Sequence, residues 1–157
     1  MQIHVIAVGK IKEDYLKKAI EDYVKRLSKY TKVNVSEVAE EDISSRPAAE
    51  IKAKEAQKLT RYLPERGLWY TIALDRKGVE ITSEEFAQRI ETLLVEGKSN
   101  IAFIIGGALG LDDSITKNAD LRLSLSRLTF PHQIARFILF EQLYRAFKII
   151  KGEPYHY

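Results

Sequence analysis

The sequence predicts an α/β protein with an open, mostly parallel sheet and helices on both faces. Two observations carry this prediction. Apolar runs of strand length alternate with helical patterns along the chain, and the run at 101–105 is apolar at every position. Such a run is typical of a central strand in a parallel sheet, because both of its faces are covered. With 157 residues and no linker composition, we expect one domain spanning 1–157.

The first half of the chain predicts two strands and two helices. Residues 3–8 form an apolar run, and residues 14–27 carry apolar side chains at helical spacing. Residues 33–38 alternate in the manner of a half-buried strand. An acidic, irregular stretch follows, and a proline then suits the first turn of a mostly polar helix over 47–63.

The second half continues the same alternation around the central run. Residues 68–74 predict the third strand, and a Thr-x-x-Glu capping box opens a helix over 82–96. Residues 121–125 are a candidate fifth strand. The last helix is predicted to begin near a proline and to cover 131–151.

The last helix is apolar around most of its circumference. These apolar residues are Ile134, Phe137, Ile138, Leu139, Phe140, Leu143, Tyr144, Phe147, Ile149 and Ile150. We therefore expect burial on nearly all sides, with one face on the sheet and another on a partner subunit. A polar stripe runs through Glu141, Arg145 and Lys148, and its first two members are spaced to form an ion pair along the helix.

Positive charge is concentrated at the C-terminal end. The net charge is +3 and the isoelectric point is about 9.0. Residues 121–157 contain six basic and two acidic residues and so carry +4, which leaves −1 for the remainder. This asymmetry indicates either a nucleic-acid surface or a solvated face with cations near a helix C-terminus.

Composition excludes several classes of site. The absence of cysteine excludes disulfides, thiolate nucleophiles and cysteine-bound metals. The apolar start of the chain is too short for a membrane span and lacks the basic residues of a signal peptide. We therefore expect a cytoplasmic protein.

A glycine-rich loop follows the central strand at residues 106–110. Glycines at the carboxyl end of a parallel strand allow close approach of a ligand, and ligands bind at that edge of open α/β sheets. The spacing matches neither the dinucleotide fingerprint nor the P-loop, which disfavours a nicotinamide site. A tight strand-to-helix connection explains the loop equally well.

A second stretch, at 125–132, could line the same pocket. It offers backbone amides, two hydroxyl groups, Arg127 and His132, and Pro131 restricts the backbone where the last helix starts. The alternative is an ordinary loop in which Thr129 caps the helix.

The chain ends in Gly152-Glu153-Pro154-Tyr155-His156-Tyr157. Aromatic side chains stack on splayed RNA bases, so we consider Tyr155, His156 and the preceding Lys151 as RNA contacts. The alternative is a frayed terminus.

Together these blocks resemble the RlmH family, the ribosomal RNA large-subunit methyltransferase H group of the SPOUT superfamily. The resemblance covers essentially the whole chain. The matching blocks are Val8-Gly9-Lys10, Gly106-Gly107-Ala108-Leu109-Gly110, Ser126-Arg127-Leu128-Thr129-Phe130-Pro131-His132-Gln133, Glu141-Gln142-Leu143-Tyr144-Arg145-Ala146 and Gly152-Glu153-Pro154-Tyr155-His156.

The resemblance implies a SPOUT-type α/β knot, with a trefoil knot in the C-terminal third, and a homodimer with each cofactor site near the interface. It implies transfer of a methyl group from S-adenosylmethionine to N3 of a pseudouridine in helix 69 of 23S rRNA, in the assembled ribosome. The cofactor-lining positions that it implies are Leu74, Gly106, Leu125, Ser126, Arg127, Leu128, Thr129 and Phe130.

The implied reaction must remove a proton from N3. His132 and His156 are candidate bases, and Arg136 and Arg145 are candidate partners for a developing anion or a phosphate. Glu141 fits better as the partner of Arg145 than as a base.

We predict no metal site, because the three histidines are not at metal-ligand spacing. Two rival functions remain at this point. One is a nucleotide-binding α/β enzyme with another substrate, and the other is a ribosome-binding factor without catalytic activity.

Overall fold

The computed structural model describes residues 1–156, so Tyr157 of the predicted domain and tail lies outside the described residues. The elements are β1 (Gln2–Val8), α1 (Asp14–Leu27), β2 (Lys32–Val38), α2 (Ala48–Thr60), β3 (Tyr70–Glu80), α3 (Ser83–Val95), β4 (Asn100–Ile105), α4 (Asp113–Thr116), β5 (Leu121–Ser124) and α5 (His132–Lys151). The strands form one sheet in the order β2-β1-β4-β3-β5. Every pairing in it is parallel, which confirms the predicted fold class.

The strand that the sequence predicted as central is β4, which pairs with β1 on one side and with β3 on the other. Its residues from Ile101 to Ile105 are all buried. Apolar side chains on both faces of β4 explain this position, because each face supports a separate layer of helices.

Helices cover both faces of the sheet, as predicted. On one face, α1, α3 and α5 share a core cluster with Val5 of β1 and Phe103 of β4. On the other face, α2 and α4 pack with Ile6 of β1 and Ile104 of β4. Successive strand residues therefore point into different layers, as the pleat of a strand requires.

The start of α3 follows the predicted capping box. The Thr82 hydroxyl accepts the Glu85 backbone N–H at 3.1 Å, and the Glu85 carboxylate accepts the Thr82 N–H at 2.8 Å. The helix α2 ends at Thr60, three residues before the predicted end. The single-turn helix α4 was not predicted, and the Asp112 carboxylate caps it by accepting the Ser114 N–H at 3.0 Å.

The third strand continues beyond its predicted end. We expected it to end at Leu74, but β3 runs on to Glu80. Leu123 of β5 pairs with Leu74 and again with Val79, so residues 75–78 of β3 form an irregularity that separates from β5 before the pairing resumes. Residue 78 is a glycine, which permits this return, because a Cβ there would lie 2.5 Å from the Arg122 carbonyl oxygen.

The last helix is fully buried on one side only in the single chain. Its buried apolar residues are Leu139, Phe140, Leu143, Ala146 and Phe147. The half-buried ones include Ile134, Phe137, Ile138, Ile149 and Ile150. No helix in residues 1–156 is both long and apolar enough to cross a membrane.

Candidate functional site at the carboxyl edge of the sheet

Three neighbouring strands place predicted cofactor residues at one level of the sheet. The β3–β5 register pairs Leu74 with Leu123, two residues before Leu125. The β3–β4 register puts Leu74 one residue short of the level of Gly106. Because neighbouring strands lie about 4.8 Å apart, these chain segments meet at the carboxyl edge.

The connection between β5 and α5 runs along this same edge. β5 is the edge strand of the sheet. The second turn of α5, by contrast, lies beside the end of β1, because Arg136 Nη2 donates to the Gly9 carbonyl at 2.9 Å. The strands β3 and β4 lie between them. Residues 125–131 must therefore cover about 14 Å, well within their extended reach, past the ends of β3 and β4.

Local hydrogen bonds shape this connection. Ser126 Oγ accepts the Leu128 N–H at 2.9 Å, and Ser124 Oγ donates to the Ser126 carbonyl at 3.0 Å. The Thr129 hydroxyl accepts from Arg76. The N-cap of α5 is Pro131, and no side chain caps the helix, so the alternative in which Thr129 is the cap is wrong.

The side chains of the connection differ in burial. Leu125, Ser126 and Phe130 are half-buried, as is Leu74. Arg127 and Thr129 are exposed, and Leu128 has an exposed fraction of 72%. Apolar surface is therefore open to solvent at this edge, next to half-buried apolar walls.

The glycine loop is a packed turn. Gly106 and Gly107 are buried, and the Gly110 N–H donates to the Gly107 carbonyl at 3.0 Å. A Cβ at Gly106 would lie 2.7 Å from the Gly110 carbonyl carbon, so closure of the turn requires glycine at 106. A Cβ at Gly107 would lie 3.0 Å from Glu55 Oε1.

Arg136 connects the start of α5 to the sheet through a hydrogen bond and an ion pair. Its exposed fraction is 3%. Besides the bond to Gly9, Nη1 forms an ion pair with the carboxylate of Glu37 on β2. The guanidinium therefore lies inside the chain, away from the surface where an RNA phosphate could reach it.

His132 lies one turn earlier on α5, against the end of β1. Its Nε2 is buried without a hydrogen-bond partner within residues 1–156, and it lies 3.9 Å from Glu40 Oε2. Gly9 has φ +90°, and a Cβ there would lie 2.9 Å from His132 Nε2. Burial lowers the pKa of His132; Glu40 raises it, and Arg136 and Lys12 lower it. The ring is therefore neutral near pH 7.

Glu55 of α2 was not among the residues singled out from the sequence. Its exposed fraction is 4%. Oε2 accepts the Glu41 N–H at 3.0 Å, whereas Oε1 has no partner among the described residues. Burial raises the pKa of Glu55, while the bond from the Glu41 amide and the charge of Lys58 lower it. Helical spacing could have identified it, because Glu55 falls four residues after Ile51 and four before Leu59, on the buried stripe.

The remaining candidates form a second group near the C-terminus. Arg145 Nε donates to Glu141 Oε1 at 2.9 Å, which confirms the predicted ion pair. Arg145 Nη1 lies 3.0 Å from His156 Nδ1, and His156 Nε2 lies 2.7 Å from Glu84 on α3. Both ring nitrogens of His156 are therefore engaged within the chain.

The tail packs against the helices, so the frayed alternative is wrong for its described residues. The Tyr155 hydroxyl lies 3.0 Å from the Tyr23 hydroxyl of α1. The Tyr155 ring meets the Tyr144 ring at 4.8 Å, and the Arg145 guanidinium lies 4.8 Å from its centre. Lys151 is exposed.

The four predicted catalytic residues thus form two groups in one chain. His132 and Arg136 lie at the sheet edge, whereas Arg145 and His156 lie near the end of α5. The helix rises about 14 Å between the two arginines. In residues 1–156, no three His, Asp or Glu side chains are placed to hold a metal ion.

We predict that Glu40→Gln lowers the pKa of His132 further, because the substitution removes the carboxylate that favours the imidazolium. Lys12→Met should raise this pKa, since it removes a nearby positive charge. Histidine NMR titration measures both shifts, and Glu50→Gln on α2 serves as the control.

The lowered pKa of His132 also makes the free energy of unfolding depend on pH. The folded state binds the His132 proton more weakly than the unfolded chain, whose histidine pKa is near 6.5. The free energy of unfolding should therefore fall as the pH drops from 6.5 towards the lowered pKa. A His132 pKa at or above 6.5 in the folded protein would contradict this arrangement.

Comparison with known proteins identifies the family of the chain. Residues 1–156 match the family model described as "Predicted SPOUT methyltransferase". Proteins named "Ribosomal RNA large subunit methyltransferase H" from Clostridium kluyveri and Halothermothrix orenii are 50% and 51% identical, each over 160 residues that cover 99% of both chains. The protein of that name from Acetivibrio thermocellus is 49% identical with the same coverage. A SPOUT match implies the knotted form of the α/β fold. The chain therefore belongs to the ribosomal RNA large subunit methyltransferase H family of SPOUT methyltransferases.

Proposed function

We propose that this chain methylates ribosomal RNA, with S-adenosylmethionine as methyl donor and N3 of a pseudouridine in helix 69 of 23S rRNA as acceptor. One observation carries the proposal. The end of β3, the glycine loop and the connection 125–131 share one edge of the sheet, in a chain whose relatives are named rRNA methyltransferases.

The residues at this edge fit the chemistry of the proposed donor. An adenosine has a flat apolar ring with polar edges, and the half-buried Leu74, Leu125 and Phe130 offer apolar walls. The exposed Leu128 would be covered by a bound ligand. The turn at Gly106 and the backbone from 125 to 130 bring peptide groups to the same place, where they can bind polar groups. Leu74, Gly106, Leu125, Ser126, Arg127, Leu128, Thr129 and Phe130 therefore remain the proposed donor-binding residues.

Bound S-adenosylmethionine supplies an electrophilic methyl group on a sulfonium. The chain must hold the acceptor nitrogen in line and accept its proton. We assign the proton to Nδ1 of His132, because this imidazole is neutral near pH 7, its other nitrogen Nε2 is buried, and the residue lies two positions after Phe130. His156 is the alternative acceptor, although Arg145 and Glu84 engage both of its nitrogens.

The tail and α5 are proposed to meet the partners. Lys151, Tyr155 and His156 are the proposed RNA contacts. Arg145 is the candidate anion partner, because the side chain of Arg145 is a quarter exposed whereas that of Arg136 is buried. A second copy of the chain would cover the half-buried apolar side chains of α5, which gives the proposed homodimer. We place the knot, a trefoil, in the C-terminal third and the activity in the cytoplasm.

Gly106→Ala should reduce donor affinity by at least about tenfold, because the added Cβ would collide with the Gly110 backbone and open the turn. Isothermal titration with S-adenosylmethionine measures this loss. Gly97→Ala is the control, since no atom lies within 4 Å of the added methyl group, while its φ of +79° makes alanine strained there without touching the proposed site. Equal affinity in Gly106→Ala and wild type would remove the glycine loop from the proposed site.

The reaction itself is tested with labelled S-adenosylmethionine and large subunits or whole ribosomes from a strain lacking the enzyme. We expect label at N3 of a helix 69 pseudouridine. His132→Ala should lower turnover at saturating donor by about a hundredfold or more. His4→Ala is the control, because His4 lies elsewhere and bonds to Ser36 Oγ at 2.8 Å.

Two outcomes would contradict the proposal. If His132→Ala keeps full turnover while His156→Ala loses it, the proton acceptor is His156. If the wild-type protein binds ribosomes but neither binds the donor nor labels RNA, the chain is a ribosome-binding factor.

A further inference from the structure

We propose that a basic depression beside β5, formed around Lys77 and Lys117, binds phosphate groups of the substrate RNA next to the methyl-transfer site. This inference rests on the proposed function and adds a surface to it, at the opposite edge of the sheet from β2.

The depression is open and has a volume of about 490 Å³. Two chain segments form it: the part of β3 beyond Leu74, and the chain from the end of α4 into β5. The lining side chains that bear on binding are Lys77, Val79, Lys117, Asp120 and Arg122. The close approach of Gly78 to the Arg122 backbone brings the two segments together.

The charges of this depression leave two lysines available. Arg122 is neutralised by Asp75, to whose carboxylate its Nε and Nη2 donate at 3.0 and 2.6 Å. Lys77 and Lys117 are exposed, and neither forms an ion pair with any residue from 1 to 156. Two ammonium groups without an ion-pair partner therefore line the same depression.

The acidic group of the depression is hydrogen-bonded to β3. The Asp120 carboxylate accepts the Thr71 N–H at 2.8 Å and lies 3.2 Å from the Thr71 hydroxyl, which acts as donor. It is therefore committed to β3. Arg122 and Asp75 cancel, and the two lysines outweigh Asp120, so the depression keeps one net positive charge.

The Lys77 side of the depression adjoins the proposed donor site, whereas Asp120 lies level with Thr71 near the start of β3. Lys77 follows Leu74 by three residues. The preceding Arg76 donates to the Thr129 hydroxyl in the connection, and Arg127 lies 3.4 Å from Glu80 on β3. We therefore place the backbone of an RNA strand whose base enters the donor site along this depression.

Lysine chemistry favours RNA phosphate as the occupant. An ammonium group acts as a compact point charge for phosphate, without the planar geometry that carboxylate recognition uses. Recognition through the backbone also suits a folded ribosomal RNA, which is read largely by shape. The depression is open, and Val79 is its strongly exposed large apolar side chain, which offers little apolar surface to a protein partner.

The test is a double charge reversal, Lys77→Glu with Lys117→Glu. Binding to whole ribosomes and, separately, to isolated large subunits from a strain lacking the enzyme is measured by co-sedimentation over a series of salt concentrations. We expect about tenfold weaker binding at low salt. The slope of log affinity against log salt should fall by about 1.4, as for two lost phosphate contacts. Donor affinity, measured by isothermal titration, should be unchanged.

The control is Lys17→Glu with Lys18→Glu on α1. These lysines are exposed and make the same change in net charge, far from β5. Equal binding by the two double variants would overturn the proposal, because net charge would then explain the loss. If the glutamate variant does not fold, Lys77→Gln with Lys117→Gln should still reduce the salt slope, and an unreduced slope would also overturn it.

Failure of this proposal and failure of the proposed function are distinguishable. If the wild-type protein binds the donor and methylates rRNA, but the lysine variants bind like the control, only the phosphate site is lost. If the wild-type protein binds neither the donor nor rRNA, both proposals fall.

Discussion

The arrangement of the site depends on one buried contact, between the Arg136 guanidinium and the end of β1. Arg136 donates to the Gly9 carbonyl and forms an ion pair with Glu37. A guanidinium can serve both acceptors at once because its donors form a rigid fork. This contact holds the start of α5 beside β1, three strands away from β5. The connection that carries Leu125 to Phe130 is thereby drawn across the sheet edge.

The same region concentrates unusual electrostatics. Within residues 1–156, the buried side-chain atoms without a hydrogen-bond partner are Glu55 Oε1, His132 Nε2 and Arg136 Nε. All three lie where β1 and β4 end, beside Gly9 or Gly107. Leaving a buried polar atom unpaired costs about 1–3 kcal/mol, and proteins usually avoid it. Their clustering at the edge where the donor is proposed to bind supports a functional origin.

The sequence predicted the architecture, and it singled out the two loops that are proposed to bind the donor, for physical reasons. The uninterrupted apolar run of β4 requires burial on both faces, and parallel strands place their carboxyl ends at one edge. The glycines at 106, 107 and 110 then mark where the backbone must turn tightly. These are local properties, which a single sequence reveals.

Other features depend on contacts between distant residues and could not be predicted in the same way. The charge of Arg136 suggested an exposed anion partner, but its acceptors come from β1 and β2, far along the chain. The return of β3 to β5 depends on space at Gly78 that only the pairing reveals. The tail is packed because Tyr155 and His156 find partners on α1 and α3.

The most direct test of this account is the affinity of the Arg136→Met variant for S-adenosylmethionine. Methionine fills similar buried space but cannot bind the Gly9 carbonyl or Glu37. The control is Arg26→Met, which removes an exposed arginine paired with Asp22 on α1. We expect the Arg136 variant to keep its secondary structure and to bind the donor at least about tenfold more weakly, a loss of about 1.4 kcal/mol. Wild-type affinity in a folded Arg136→Met protein would contradict the claim that this contact builds the site.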